Sequence, residues 1–426
     1  MMAVRAMCRV RIGKMAFARR AMFTMIIVAH PALLISQSIY TLETLPADQF
    51  EPSVGFDRIV GLHIDLQGNI AGWAEKGVTS KLGFYWPSNG NPVRKLILAT
   101  PSYPGGCEPR GVDAEGLVYL YCKGSDRRVT SIYTPLSGNY RELSLPDGKV
   151  FEVQGAGGKS WSVGYSLNGG HFAGVRRKAN GSIEALPSLP LDVGSIAVGV
   201  NSKGAATGLS SSLSFLIEGL AGDAAAPWPG RAVLWAEGNG DVQAIPLPNK
   251  LPWIPKIGRA INDDLVVIGS TSPLAPLSAC SPSSATRDQT GTFGFVSTLR
   301  TGGDRVTEFL PLVPGDTTAT TMTPSGVNIH GAIVGTRDGT DCGSGSVLDG
   351  RRAILWKSRV GVWVANVLDR YPISLDTGIC ARDLILTEAR AINDAGQITG
   401  AGYCADSEGT RRSIAYRLTP TGVDEP

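Results

Sequence analysis

The chain has 426 residues, with 40 Lys and Arg against 37 Asp and Glu, 43% apolar residues and 53 glycines. That length and apolar content are ample for a large closed core, and the glycines fit a turn-rich all-β globule. Six of the basic residues lie within the first 38 positions; without them 34 bases face 37 acids, with no Lys/Arg cluster or stripe. This argues against nucleic acid and anionic membrane surfaces as partners.

Residues 1–38 read as a signal peptide. Arg5, Arg9, Arg11, Lys14, Arg19 and Arg20 precede an apolar run from Ala21 to Ile35, and Ser36-Gln-Ser38 offers small residues for cleavage before Ile39. The run is short for a membrane span, which needs ~20 apolar residues. An uncleaved anchor is the other reading, Met15 and Met22 are alternative starts, and no Leu-x-x-Cys lipoprotein box follows.

Beyond the leader one phrase recurs: apolar, Asn or Asp, two variable residues, Gly, variable, apolar. It begins at Ile64, Val112, Val200, Ile261, Val327 and Ile392, with Leu265 standing where the Gly is expected in the fourth copy. An Asn or Asp first and a Gly fourth suit a type I turn, and period-two alternation on both sides marks half-buried strands. Asp65, Asp113, Asn201, Asn262, Asn328 and Asn393 are therefore read as structural turn residues, each joining a first strand to a second.

A third strand follows, seen in Leu82–Trp86, Arg231–Trp235, Arg352–Trp356 and Arg412–Tyr416, and a fourth segment ends near Leu-Pro at 145–146, 186–187, 245–246 and 310–311. Four short strands per unit match a propeller blade. The 88-residue gap after Val112 accommodates a degenerate unit from Phe151 to Pro187, in which Gly155-Ala-Gly-Gly158 replaces the turn. Ile39–Pro46 has no unit of its own and carries a fourth-strand ending, so it should complete the last blade by pairing with residues 412–418. The expected fold is all-β: a single β-propeller of seven four-stranded blades over residues 39–420, closed by an N-terminal strand, with 421–426 as a tail.

These phrases resemble the extracellular HAF-repeat family, most closely in the Asn-x-x-Gly hairpin and the Ala-x-Leu-Trp strand; Arg231-Ala and Arg352-Ala replace the family's His-Ala. The resemblance implies an exported repeat protein and supplies no catalytic residues.

Six cysteines lie outside the leader. If Val112 faces Leu117 across its turn, Cys107 falls opposite Cys122; Cys280 with Cys342 and Cys380 with Cys404 complete the set. Without a Cys-x-x-Cys, this reads as disulfide usage of an oxidising compartment, extracellular or periplasmic. The loops 209–230, 270–292 and 336–350, and all six cysteines, should share one end of the ring. Tyr103, Trp228 and Trp253 lie in Pro/Gly-rich loops where an aromatic can stack on a sugar or anchor a peptide, against the plainer reading of packing beneath the loops. Trp86, Trp235 and Trp356 share one repeat column and read as core.

No cofactor is expected. Asp338 and Asp341 supply oxygen ligands in a glycine-rich loop but lack the spacing of a calcium loop. Two functions stay open. One is an exported, monomeric binding or scaffold module for a glycan, peptide or surface protein. The other is a secreted or periplasmic hydrolase or lyase at the propeller axis, which two or more acids within reach of Arg or Tyr would favour; a channel of small or apolar residues would favour the binder.

Overall fold

The computed structural model describes residues 40–50, 55–77, 80–90, 92–97, 106–124, 128–145, 149–158, 160–168, 171–178, 180–212, 230–238, 241–246, 253–273, 293–314, 321–338, 350–375, 380 and 382–421. They form seven sheets arranged as the blades of a β-propeller, six antiparallel and one mixed. The inner strands of blades 1 to 7 are Arg58–Ile64, Cys107–Val112, Phe151–Gly157, Gly194–Val200, Trp253–Ile261, Thr321–Val327 and Arg382–Ile392. The degenerate unit is a full blade of four strands.

In six blades the repeat residue closes its turn in the same way. Asn201 Oδ1 accepts from the Lys203 and Ala205 amides at 3.1 and 2.9 Å, and the Gly204 amide donates back to the Asn201 carbonyl. The fourth residue takes φ between +75° and +90° at Gly68, Gly116, Gly204, Gly331 and Gly396, the left-handed region that glycine enters without cost. Leu265 is driven into the same region at φ 58°.

The amide side chain does a second job. Asn201 Nδ2 donates to the Asn262 carbonyl at 3.0 Å, Asn262 Nδ2 to Asn328 at 2.9 Å, Asn328 Nδ2 to Asn393 at 3.3 Å and Asn393 Nδ2 to Asp65 at 2.8 Å. Four consecutive blade junctions are thus stitched at the turn end. The Leu-Pro endings serve an equivalent purpose further out: Trp235 Nε1 donates to the Pro187 carbonyl at 2.8 Å and Trp356 Nε1 to Pro311 at 3.0 Å, each reaching back to the preceding blade. Both indoles are fully buried, as the repeat column implied.

Closure follows the sequence expectation with a small shift. Tyr40–Pro46 pairs antiparallel with the strand Arg411–Pro420, from Tyr40 opposite Pro420 to Pro46 opposite Ile414. Tyr40 and Leu42 pack toward blade 6, while Leu45 packs with Ile59, Phe84 and Trp86 of blade 1. The buried Arg417 pairs with Glu43 directly across the ladder, donates to the Gly68 carbonyl at 2.7 Å and lies 4.9 Å from the Trp86 ring. One guanidinium thereby ties the closing strand, blade 7 and blade 1 together.

Two details correct the sequence reading. Blade 7 has five strands, because Ile373–Leu375 runs parallel along the outer edge of Tyr40–Leu42. Val112 pairs with Val118 rather than Leu117; a bulge at Arg110 then restores the offset, so Cys107 still faces Cys122. The Cys107–Cys122 and Cys380–Cys404 disulfides are both formed, at the end of the ring opposite the Asn turns. Cys280 and Cys342 lie outside the described residues.

Deleting residues 40–46 should remove burial of three large apolar side chains, on the order of 5 kcal/mol, and open the edge of Arg411–Pro420. The expected result is a lower melting temperature with new proteolytic cuts between 382 and 420. An unchanged melt and cutting pattern would mean that the ring closes without this strand.

Candidate functional site

Every inner strand carries a β-bulge, which in the six blades with an Asn or Asp turn residue lies three residues before it. The bulged positions are Leu62, Arg110, Gln154, Val198, Arg259, Ser325 and Arg390. A bulge leaves one residue outside the ladder and re-aims its side chain. The next residue is Gly or Ala in six blades and faces the neighbouring inner strand: a Cβ on Gly199 would sit 2.8 Å from the Arg259 carbonyl oxygen, and one on Gly326 3.2 Å from Ala391 Cα. With that side of the backbone filled, the bulged residues are left outside the ladder at one register level of the strands that line the axis. Arg259 of blade 5 and Arg390 of blade 7 repel each other across the intervening blade, and His63 of blade 1 feels both Arg110 and Arg390.

Two residues before three of these bulges stand acids. Glu388 is 1% exposed and meets three guanidinium groups: Arg390 Nε at 2.7 Å, Arg351 Nη1 at 2.7 Å, and Arg58. Burial alone would push its carboxyl up, but the charges of Arg390, Arg58 and Arg351 together hold it down at about 2. Glu108 pairs with Arg110 at 3.1 Å. Glu152 lies 3.7 Å from Arg128, accepts from Gln154 Nε2 at 3.4 Å and hydrogen-bonds the Tyr165 hydroxyl, whose phenol is raised by burial and by the Glu152 charge.

The axis therefore holds acids within reach of Arg and Tyr, the arrangement that sequence reasoning tied to an enzyme. Glu388, kept ionised by three guanidinium groups, has no proton to deliver and no uncommitted lone pair with which to take one. His63 is lowered to about 4 by burial, then by Arg110 and Arg390, which leaves it neutral. Asp113 is raised to about 6 by burial, yet its oxygens accept from the Glu115 and Leu117 amides and from Tyr119 in the turn.

Of the residues singled out from sequence, Trp228 and Tyr103 lie outside the described residues. Trp253 belongs to no loop: it opens the inner strand of blade 5, opposite Pro273, because the extended pattern begins earlier than its two prolines implied. Asp338 spends a carboxylate oxygen on Arg351 Nε at 2.5 Å, and Asp341 lies outside the described residues. Among the described residues no group of three or more His, Cys, Asp or Glu gathers as a metal site. The axial arginines and Glu388 were missed. The available signal was their fixed offset from the turn residue, three positions for the arginines and five for the glutamate.

No family model and no curated protein matches this chain. Among solved structures it is similar to YCF48 bound to D1 peptide, at 10% identity, TM-score 0.45, covering 91% of this chain and 97% of that one. It is also similar to TolB from Acinetobacter baumannii, at 12% identity, TM-score 0.38, over 70% and 63% of the two chains. The tricorn protease matches at 14% identity and TM-score 0.45, over 90% of this chain and 36% of that one. The likeness is one of fold alone, and no residue role is taken from it.

Two buried acids should respond to pH with opposite sign. Glu388 sits below its unfolded value, so it stabilises above about pH 4 and loses that contribution as pH falls toward 2. Glu388→Gln should cost about 3 kcal/mol at pH 7, by removing the charge that three arginines share and leaving Arg390 without a carboxylate partner among the described residues, with the gap to wild type closing on acidification. Asp113 sits above its unfolded value, so its ionisation destabilises at neutral pH and this is relieved as pH falls through about 6 toward 4. Asp113→Asn, which installs the residue used in blades 4 to 7, should raise stability at pH 7 by on the order of 2 kcal/mol. Urea melts from pH 3 to 8 check both.

Proposed function

We propose that this chain is an exported, non-catalytic binding or scaffold module of HAF-repeat type, secreted or periplasmic, that engages a glycan, peptide or surface protein through its long-loop end. The observation that carries the reading is the state of Glu388: it is buried among Arg58, Arg351 and Arg390 and held ionised, braced rather than poised for proton transfer, while Glu108 and Glu152 also meet guanidinium groups. The basic, then apolar, leader pattern and the two disulfides fit an oxidising destination outside the cytoplasm.

The end of the ring that carries the disulfides also supports this reading. Tight Asn turns leave little variable surface at the opposite end, whereas the 209–230, 270–292 and 336–350 segments insert between second and third strands. Trp228, between Pro227 and Pro229, has a backbone stiffened on both sides and a ring suited to stacking. The competing reading is a hydrolase or lyase at the axis, favoured by the Glu and Arg pairs themselves. Turnover of a glycan or peptide substrate that Glu388→Gln abolishes, in a variant still folded by circular dichroism, would establish it.

Binding on glycan and peptide arrays should fall at least tenfold on Trp228→Ala, in line with loss of an aromatic anchor, with little change in melting temperature. A lower melting temperature at unchanged affinity would make Trp228 a packing residue. Loss of binding on substitution of Leu66, Gln67 or Asp264 in the opposite turns would move the site to the other end.

A further inference from the structure

The seven bulged positions fall at one register level of the inner strands, near the Asn-turn end. Three are arginines and the rest are Leu62, Gln154, Val198 and Ser325, so the layer holds three positive charges and no acid. The acids lie two residues further down the strands. They hold two of the arginines in place: Glu388 anchors Arg390 through Nε and Nη2, and Glu108 anchors Arg110 through Nη2. Arg110 is further fixed over the Tyr121 ring at 5.3 Å.

Arg259 has no such anchor among the described residues: none of their carboxylates pairs with it, and its Nε is buried with no hydrogen-bond partner, as is Arg110 Nε. Burial, then the charge of Arg390, depresses the Arg259 guanidinium to about 10. A buried cation without a carboxylate partner, within reach of a second cation's charge, is costly to a folded protein unless an anion completes the site. The three residues remain partly exposed, so solvent reaches them.

We propose that the Asn-turn mouth of the axial channel binds a small polyvalent oxyanion, phosphate or a polycarboxylate, held by the guanidinium groups of Arg110, Arg259 and Arg390. Guanidinium forks match the oxygens of both anions, and fixing two of them in advance lowers the ordering cost of binding. Gln154 and Ser325 supply neutral donors in the same layer. The rim sets the size limit. The turn tips carry Glu115, Asp263, Asp264 and Asp394 against Lys203, so an extended polyanion meets negative charge roughly 10 Å before it reaches the arginines, by three residues of strand rise. This site lies at the opposite end from the long loops and does not depend on what they bind.

Isothermal titration of the folded chain with inorganic phosphate, citrate and acetate, at constant ionic strength, tests the assignment. Saturable binding of phosphate or citrate, with acetate much weaker, is expected, and the stronger of the two identifies the natural chemistry. Arg259→Gln should weaken it at least tenfold, Arg359→Gln on an exposed strand end should leave it unchanged, and Arg259→Gln should melt no lower than wild type in anion-free buffer. Arg259→Lys, which keeps the charge but loses the fork, should also bind more weakly and covers the case in which the glutamine variant folds poorly. Absence of saturable binding by both phosphate and citrate, or affinities in both Arg259 variants within twofold of wild type, would overturn the proposal.

Discussion

Ring closure depends on a strand that belongs to no repeat. Seven sheets arranged in a circle have to meet somewhere, and an unpaired third strand at that seam would expose a row of backbone donors and acceptors. Tyr40–Pro46 covers that edge with seven paired residues, and Arg417 fixes the register by meeting Glu43 directly across the ladder. The same guanidinium reaches the carbonyl of Gly68 in the next blade, so register and blade contact are set by one side chain. Arg176 repeats the device between blades 3 and 4, with Glu184 in place of Glu43 and the Gly204 carbonyl in place of Gly68. Both arginines are buried, and hydrogen bonds to charged groups in such places are worth more than neutral ones.

The rest of the ring is held by neutral links repeated blade after blade. The asparagine amides join consecutive turns at one end, and tryptophan indoles bond the Leu-Pro carbonyls further from the axis. This gives the repeat phrases separate physical meanings. Asn caps its own turn with Oδ1 and reaches its neighbour with Nδ2. Asp performs only the first task, which is why blades 1 and 2, with Asp65 and Asp113, do not continue the amide chain. In blade 3 the Gly155–Gly158 stretch replaces the side-chain cap with close backbone approach, since a Cβ on Gly158 would run into the backbone of Ser202 in blade 4.

Around the axis, small residues beside six of the seven bulges let inner strands touch. The charged residues of these strands fall into two adjacent layers. Glu388 is saturated by arginines from three strands and braces the inner strands, whereas in the arginine layer above it Arg259 has no carboxylate partner among the described residues. A channel built this way is suited to holding a ligand more than to moving protons.

The sequence by itself determined the blade count, the turn residues, the closing strand and two of the disulfides, because each rests on local rules. Turn chemistry, period-two alternation and repeat spacing act over a few residues and survive in any one copy. The fifth strand of blade 7 was not legible, because Ile373–Leu375 is too short to signal a strand and is defined by its parallel partner at Tyr40–Leu42. The bulge at Arg110 was not legible either, and the cysteine pairing came out right because an error of one in the turn cancelled an error of one in the strand. The axial site was decided only in three dimensions. Arg110, Arg259 and Arg390 are each unremarkable in their own repeats, and their charges become one site only when blades 2, 5 and 7 point the same register position at a common axis.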